Sequence, residues 1–423
     1  MEKICVQATK DGMAEMMKCL TALLETHHCS GKDRMEFEIA MEELLVNVVH
    51  YAYGDGQGDM TAEYEMTEKD RRNVSFKIVI TDEGIPYNPL NREDPDITLS
   101  AEERSIGGLG IFMARKFLDS LEYAYEDGKN CLTVTKNFEV ELSPTEAMIY
   151  RYPQLTLAPG EGVSESEAYL DIVRRGKLPE ELPNPYHTSP KDFIRTKRTI
   201  AGNIETLYLD NREDFERFVQ VLAYRCENRP VPPSMGAVTV SNLNNWRKIE
   251  EHKKEYALSG GTDWAEEFKR FTGVPENYKD TLVIAGSGGY SAVSARSAGF
   301  GEEEWLQLSV TIRMYHEMSH VVLKRMHKGE RNPVTEEVAA DAAGIYQALG
   351  SYRPELAKMF LGIEESEYRQ GGRLENYLEE NQAVEAVRPG VERTIEQIDQ
   401  YFKGLKRGRK DVFKLLLDLY EKL

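Results

Sequence analysis

The spacing of apolar side chains changes twice along the chain, and each change marks a region with its own expected architecture. From Asp11 to Thr26, and again from Asp33 to Tyr53, apolar residues recur at helical spacing; in the second stretch Phe37, Ile39, Ala40, Leu44, Val48 and Tyr51 predict one buried face. The period then falls to two. Met60 to Met66, Val74 to Thr81 and Cys131 to Lys136 alternate as strands do, and a glycine-opened helix from Gly108 to Leu121 separates the last two. These elements predict a mixed sheet backed by helices on one face over residues 1–140.

Between 141 and 200 the pattern fades and prolines gather at Pro144, Pro153, Pro159, Pro179, Pro183, Pro185 and Pro190, with an acidic, serine-bearing run from Glu161 to Glu167. That composition predicts a linker or loosely wrapped connection. Regular spacing returns over 201–423, with a proline-rich turn at Arg229 to Pro233, a strand-turn unit at Thr281 to Val293, long helices from Glu303 onward and an amphipathic closing helix from Asp411 to Leu423. The expected class is α+β, an α/β sandwich followed by a mainly helical domain.

A chain of 423 residues is too long for one ordinary core, which agrees with two or three domains. Its five cysteines are an odd number without a CxxC pair, so neither a disulfide framework nor a thiolate metal site is expected, and a reducing cytoplasm fits. Met1 to Leu20 lacks the basic start and apolar run of a secretion signal. No stretch approaches about 18 consecutive apolar residues, so no membrane span is expected. The net charge of -19, from 72 acidic and 53 basic side chains, repels a phosphate backbone, and no basic stripe opposes it; nucleic acid is excluded as a partner.

Two series of residues carry chemistry. In the first, Glu43 and Asn47 lie four apart on one helix face, where an amide oxygen can hold magnesium and a carboxylate can take a proton from an attacking hydroxyl. Asp82 ends a strand before the turn Glu83-Gly84-Ile85-Pro86; an aspartate there can accept the amine hydrogen of adenine, and Gly84 lets the backbone approach the base. Gly107-Gly108-Leu109-Gly110 opens a helix whose first amides can cradle phosphates.

The order Glu43-x3-Asn47, Asp82-x-Gly84, an acidic loop ending in Arg104, Gly107-Gly108-Leu109-Gly110 and Asn130-x-Leu132-Thr133 resembles the GHKL ATPases. Within them it is similar to the anti-sigma-factor serine kinases of the RsbW and SpoIIAB type, over about residues 1 to 138. The resemblance implies that Glu43 is the catalytic base, Asn47 a magnesium ligand, Asp82 the adenine reader and Thr133 a support for the base. It also implies that Arg104 contacts the terminal phosphates of ATP. As partner it implies an anti-anti-sigma-like or sigma-like regulator, with a homodimer formed through the N-terminal domain. One departure is visible: the family commonly has His-Gly-Tyr or His-Ala-Tyr four residues after the asparagine, whereas here Tyr51-Ala52-Tyr53 stands there and His50 sits one position early.

The second series begins at His316-Glu317-Met318-Ser319-His320, whose i, i+4 histidines share a helix face and can grip one zinc ion, with Glu317 beside them as general base. Glu337 is the expected third ligand, with Glu336 and Asp341 as alternatives; Asp341, one turn after Glu337, can also accept the second ring hydrogen of a ligating histidine. Over about residues 303 to 350 this arrangement resembles the gluzincin metallopeptidases, which implies a zincin-like domain and a peptide or protein substrate. Gly286-Ser287-Gly288-Gly289-Tyr290 reads first as a hairpin turn, the alternative being an edge-strand turn that lines a cleft with Tyr290 donating to an oxyanion, and Gly371-Gly372-Arg373 and Asn376-Tyr377 read as loop without a role. Two function classes follow: an ATP-dependent kinase whose nucleotide state governs a zinc peptidase, or a non-catalytic scaffold that binds ATP and metal and sequesters a regulatory partner.

Overall fold

Each of the two units into which the chain divides, Met1–Leu142 and Ser143–Leu423, is built on its own β-sheet. The computed structural model describes residues 2–54, 56–70, 72–91, 109–329, 332–364, 367–378, 382–405 and 411–423. In the first unit β1 (Glu2–Gln7), β2 (Asp59–Asp70), β3 (Asn73–Asp82), β4 (Ser120–Glu126) and β5 (Lys129–Glu139) form one sheet in the order β1-β2-β3-β5-β4. Every neighbouring pair is antiparallel, so the sheet is not mixed as expected. The reason is local: two-residue connections join β2 to β3 and β4 to β5, and such short links permit only antiparallel pairing. In the second of them Asp127 and Gly128 both take positive φ, 51° and 80°, as a primed hairpin turn requires.

Helices α1 (Lys10–Thr26) and α2 (Gly31–Asn47) start where Thr9 and Ser30 accept from the amides of Gly12 and Asp33. Alternation along β3 buries Val74, Phe76, Ile78, Ile80 and Asp82 on the helix side of the sheet. Against them pack Leu20 and Leu24 of α1 and Phe37, Met41 and Leu44 of α2, each contributing about 1.5–3 kcal/mol through burial. The predicted α2 face is wrong at two positions, Ile39 (39% exposed) and Tyr51 (56% exposed). Ile39 lies roughly 200° around the helix from Phe37, and a π-helical turn at Val48–Ala52 takes Tyr51 out of phase. Helix α3 (Leu109–Phe117) ends early; 120–126, which the expected helix partly covered, is the edge strand β4.

The second unit has β6 (Phe193–Thr199), β7 (Gly202–Leu209), β8 (Ala237–Asn244) and β9 (Lys279–Gly286) in the order β6-β7-β9-β8, with β7 and β9 parallel and the other pairs antiparallel. Around it lie α4 (Pro144–Arg151), α5 (Glu167–Val173), α6 (Arg212–Phe218), α7 (Trp246–Leu258), α8 (Trp264–Thr272), α9 (Ala295–Ala298), α10 (Glu302–Met326), α11 (Pro333–Leu349), α12 (Pro354–Leu361), α13 (Val384–Lys403) and α14 (Val412–Tyr420). Leu282, Val283, Ile284 and Ala285 are all fully buried because both faces of β9 are covered. Leu282 and Ile284 meet Phe215 and Phe218, whereas Val283 and Ala285 meet Met314 and Met318 of α10.

Residues 143–200 are therefore no linker. Met148, Ile149, Tyr152 and Leu155 are fully buried in the core shared with Phe215, and β6 is a member of the sheet. Pro144 and Pro153 sit at the start of helical turns, where the missing N–H leaves no bond unmade. These two of the seven prolines that suggested a connector start structure instead. Helices α10 and α11 cross closely at Gly344, where an added Cβ would meet the Ile312 carbonyl oxygen at 2.6 Å.

Candidate functional sites

In the first unit, Asn47 at the end of α2 and Asp82 at the end of β3 line one small cavity, together with Leu44, Ala52, Ile80 and Asn130. Asp82 is 7% exposed. Its Oδ1 accepts from Asn130 Nδ2 at 2.8 Å and from the Gly84 amide at 3.0 Å, which fixes the carboxylate and leaves Oδ2 for a ligand amine. Asn130 Oδ1 in turn accepts from Tyr123 Oη at 2.6 Å and the Tyr87 amide at 3.1 Å. Asn47 Nδ2 donates to the Glu43 carbonyl at 2.6 Å, so its side-chain oxygen is the atom left for a cation. The Glu43 carboxylate rests against Gly110 at the start of α3; a Cβ there would fall 1.9 Å from Glu43 Oε2.

Thr133 does not join this group. On β5 the buried positions are Asn130, Leu132, Val134, Lys136 and Phe138, so Thr133 points to the opposite face of the sheet, opposite Val79 and Glu122. Asn130, quoted in the same motif, is the residue the strand turns into the cavity. Arg104, Gly107 and Gly108 lie outside the described residues.

In the second unit α10 presents His316, Glu317 and His320, and α11 presents Glu336, Glu337 and Asp341. The two Nε2 atoms stand 3.1 Å apart, and each is 3.3 Å from an oxygen of Glu337. Tetrahedral zinc at about 2.0–2.1 Å from each ligand would space them by roughly 3.3 Å, so this donor set and its spacing fit the ion. Glu336 and Asp341 stand behind the rings: His320 Nδ1 is 2.7 Å from Glu336 and His316 Nδ1 is 2.8 Å from Asp341. Such carboxylates orient imidazoles toward a metal. Glu317 accepts from Thr239 Oγ1 of β8 at 2.7 Å and lines, with His316, a cleft of about 130 Å³.

Four carboxylates and one paired guanidinium, Arg373, crowd this cluster, so it favours added positive charge. Burial by itself lowers the histidine pKa values, yet the acids prevail: His316 is held above its ordinary range by Asp341 and Glu337, and Glu336 and Glu337 push His320 up to about 10. Burial would raise Glu337 and Asp341, but the imidazoles and, at Asp341, Arg373 hold both below the usual carboxylate range.

Three further groups belong to this network. Tyr290 Oη donates to Asp341 at 2.6 Å, Arg373 pairs with Asp341 and donates to Tyr290 Oη at 2.8 Å, and Tyr377 Oη donates to Glu337 at 2.8 Å. They reach the cluster across 51, 32 and 40 residues of sequence, and no local spacing announces such contacts.

Comparison with known proteins divides the chain in the same way. Residues 134–419 match the Family of unknown function (DUF7005), and residues 6–136 match the Histidine kinase-like ATPase domain. The serine/threonine-protein kinase BtrW of Bordetella bronchiseptica is 31% identical over 108 residues, 26% of this chain and 73% of that protein. The serine-protein kinase RsbW of Listeria monocytogenes is 28% identical over 98 residues, 22% of this chain and 59% of that protein. RsbW of Bacillus cereus is 27% identical over 113 residues, covering 26% and 67%. Among the described residues no helix is long and apolar enough to cross a membrane.

Proposed function

Because the chain belongs to the family of unknown function DUF7005 and carries a histidine kinase-like ATPase domain ahead of most of the matched region, we propose that it is an ATP-binding regulator. In this reading an anti-sigma-factor-like serine kinase unit governs a zinc-dependent peptidase unit, and nucleotide state decides the fate of a protein partner. That partner is an anti-anti-sigma-like or sigma-like regulator, or the peptidase substrate itself. Self-association through the first unit belongs to the same reading.

The observation that supports the hydrolytic half is the triangle of His316, His320 and Glu337, with edges of 3.1 and 3.3 Å. Those three residues would hold zinc, which when bound supplies a Lewis acid that polarises a carbonyl. Glu317 takes a proton from the attacking water and returns it to the leaving amine. Tyr377, on the wall of the same cleft, steadies Glu337 through its hydroxyl. β8 is an edge strand and its Thr239 touches Glu317, so an extended polypeptide can pair along the strand past the base. On the kinase side Asp82 reads the adenine amine, Asn47 would hold magnesium, and Glu43 takes the proton of a serine hydroxyl, the protein's work being chiefly positioning.

The test combines metal analysis of the purified chain with capture of partners from its native cell in ATP and in ADP. A zinc-loaded chain that cuts a captured protein supports the reading. A chain that takes up no zinc overturns the peptidase half, and identical capture in both nucleotides overturns the switch.

A further inference from the structure

The cleft that opens onto His316 and Glu317 has a cation in its wall that the proposed hydrolysis does not use. Arg313 precedes Glu317 by four residues on α10, so guanidinium and base project from one helix face. It is 4% exposed. No ion pair among the described residues includes it, and the carboxylate whose field reaches it, Glu317, is engaged by Thr239. Its hydrogen-bond partners are three backbone carbonyls, Nη1 donating to Gly286 at 2.8 Å and Nη2 to Gly288 at 3.1 Å and Gly289 at 3.3 Å, and its Cζ stands 5.9 Å from the centre of the Tyr290 ring.

A guanidinium has five N–H donors. The Nε hydrogen and one Nη1 hydrogen therefore remain for a ligand. Directly over Nε the chain has Gly236, where a Cβ would lie 2.4 Å from Nε and 2.8 Å from Nη2. With hydrogen in that place the backbone lies close against the guanidinium, and Gly236 and Arg313 both line the cleft. A second cation, Arg212, adds positive field, and burial already lowers the pKa of Arg313. A buried cation without a carboxylate partner is costly, and a carboxylate oxygen is an acceptor that forms a charge-assisted hydrogen bond with the remaining Nε–H.

We propose that the cleft seats a carboxylate of the substrate on Arg313, making the chain selective for peptides that present a C-terminal carboxylate or an acidic side chain beside the cleaved bond. The inference rests on the zinc-peptidase reading of the same site. Arg313 is a specificity-determining residue here: it fixes which residue enters the cleft, and Glu317 works on the bond that this positions.

Three peptidyl hydroxamates of equal length test it by calorimetric titration of the zinc-loaded full chain: one with a free C-terminal carboxylate, one with a C-terminal amide, and one with that amide and a glutamate side chain. At least one carboxylate-bearing compound is expected to bind 10-fold or more tightly than the neutral one, and the tighter of the two identifies the source of the anion. In Arg313→Gln that difference disappears, whereas Arg313→Lys retains part of it. Equal binding of all three by the unaltered chain overturns the proposal while the zinc reading stands. Binding by none overturns both. The wild-type comparison decides the matter even if Arg313→Gln does not fold.

Discussion

In the first unit the cavity residues come from the end of one helix and from hairpin-linked strands, and the neutral amides of Asn130 and Gly84 hold Asp82, the one buried carboxylate among its described residues. The second unit instead brings together two helices, a strand and a distant loop, and links three acids, Glu336, Glu337 and Asp341, with two imidazoles and a guanidinium in ion pairs, Glu317 being held by Thr239 beside them. The first arrangement tolerates the loss of a member because its neighbours can turn to water. In the second, every deletion leaves a buried charge exposed to its like, so loss of one member propagates.

The sharpest way to break that contrast is to remove a donor from the metal cluster. His320→Ala should abolish zinc binding, and elemental analysis that still finds one zinc per chain would move the ligand role elsewhere. Glu317→Gln should keep the metal and lower peptide cleavage by about 10²–10⁴-fold, the usual weight of a general base; loss of the metal in that variant would make Glu317 a ligand. On the kinase side, Asn47→Ala should remove the magnesium-dependent part of ATP affinity, read as identical titrations with magnesium and with chelator. A retained magnesium effect would count against Asn47 as the cation-holding residue.

Smaller effects sharpen the comparison. Asp341→Asn removes the acid behind His316 and should weaken zinc by about 10–100-fold. An unchanged affinity would mean that Arg373 and Tyr290, not the metal, are what Asp341 serves. Within the first unit, Asn130→Ala should weaken ATP binding by about 1–3 kcal/mol by unfixing Asp82, whereas Thr133→Ala should leave it unchanged; the reverse order would contradict the strand register.

Legibility followed sequence distance. His316 and His320 were readable because one helical turn separates them, and Asp82 because a strand end and a turn flank it. Asn130 was quoted but passed over for Thr133, although period-two alternation from the buried Leu132 already set Thr133 on the other face. Asp127-Gly128 was a legible hairpin signal, and taking it would have revealed β4. Arg373, Tyr377 and Tyr290 had no such signal, since each owes its place to packing between elements. The proline count misled at 143–200 because position within a helix, not abundance, decides whether proline interrupts structure.

The close crossing at Gly344 places the acids on α11 and the histidines on α10, so an ion held by both would rivet one helix to the other. Binding free energy then becomes folding free energy, about 4 kcal/mol at a thousandfold excess over the dissociation constant. The melting temperature of the second unit would accordingly report the free zinc around it, and chelation would loosen the helix pair along with the chemistry.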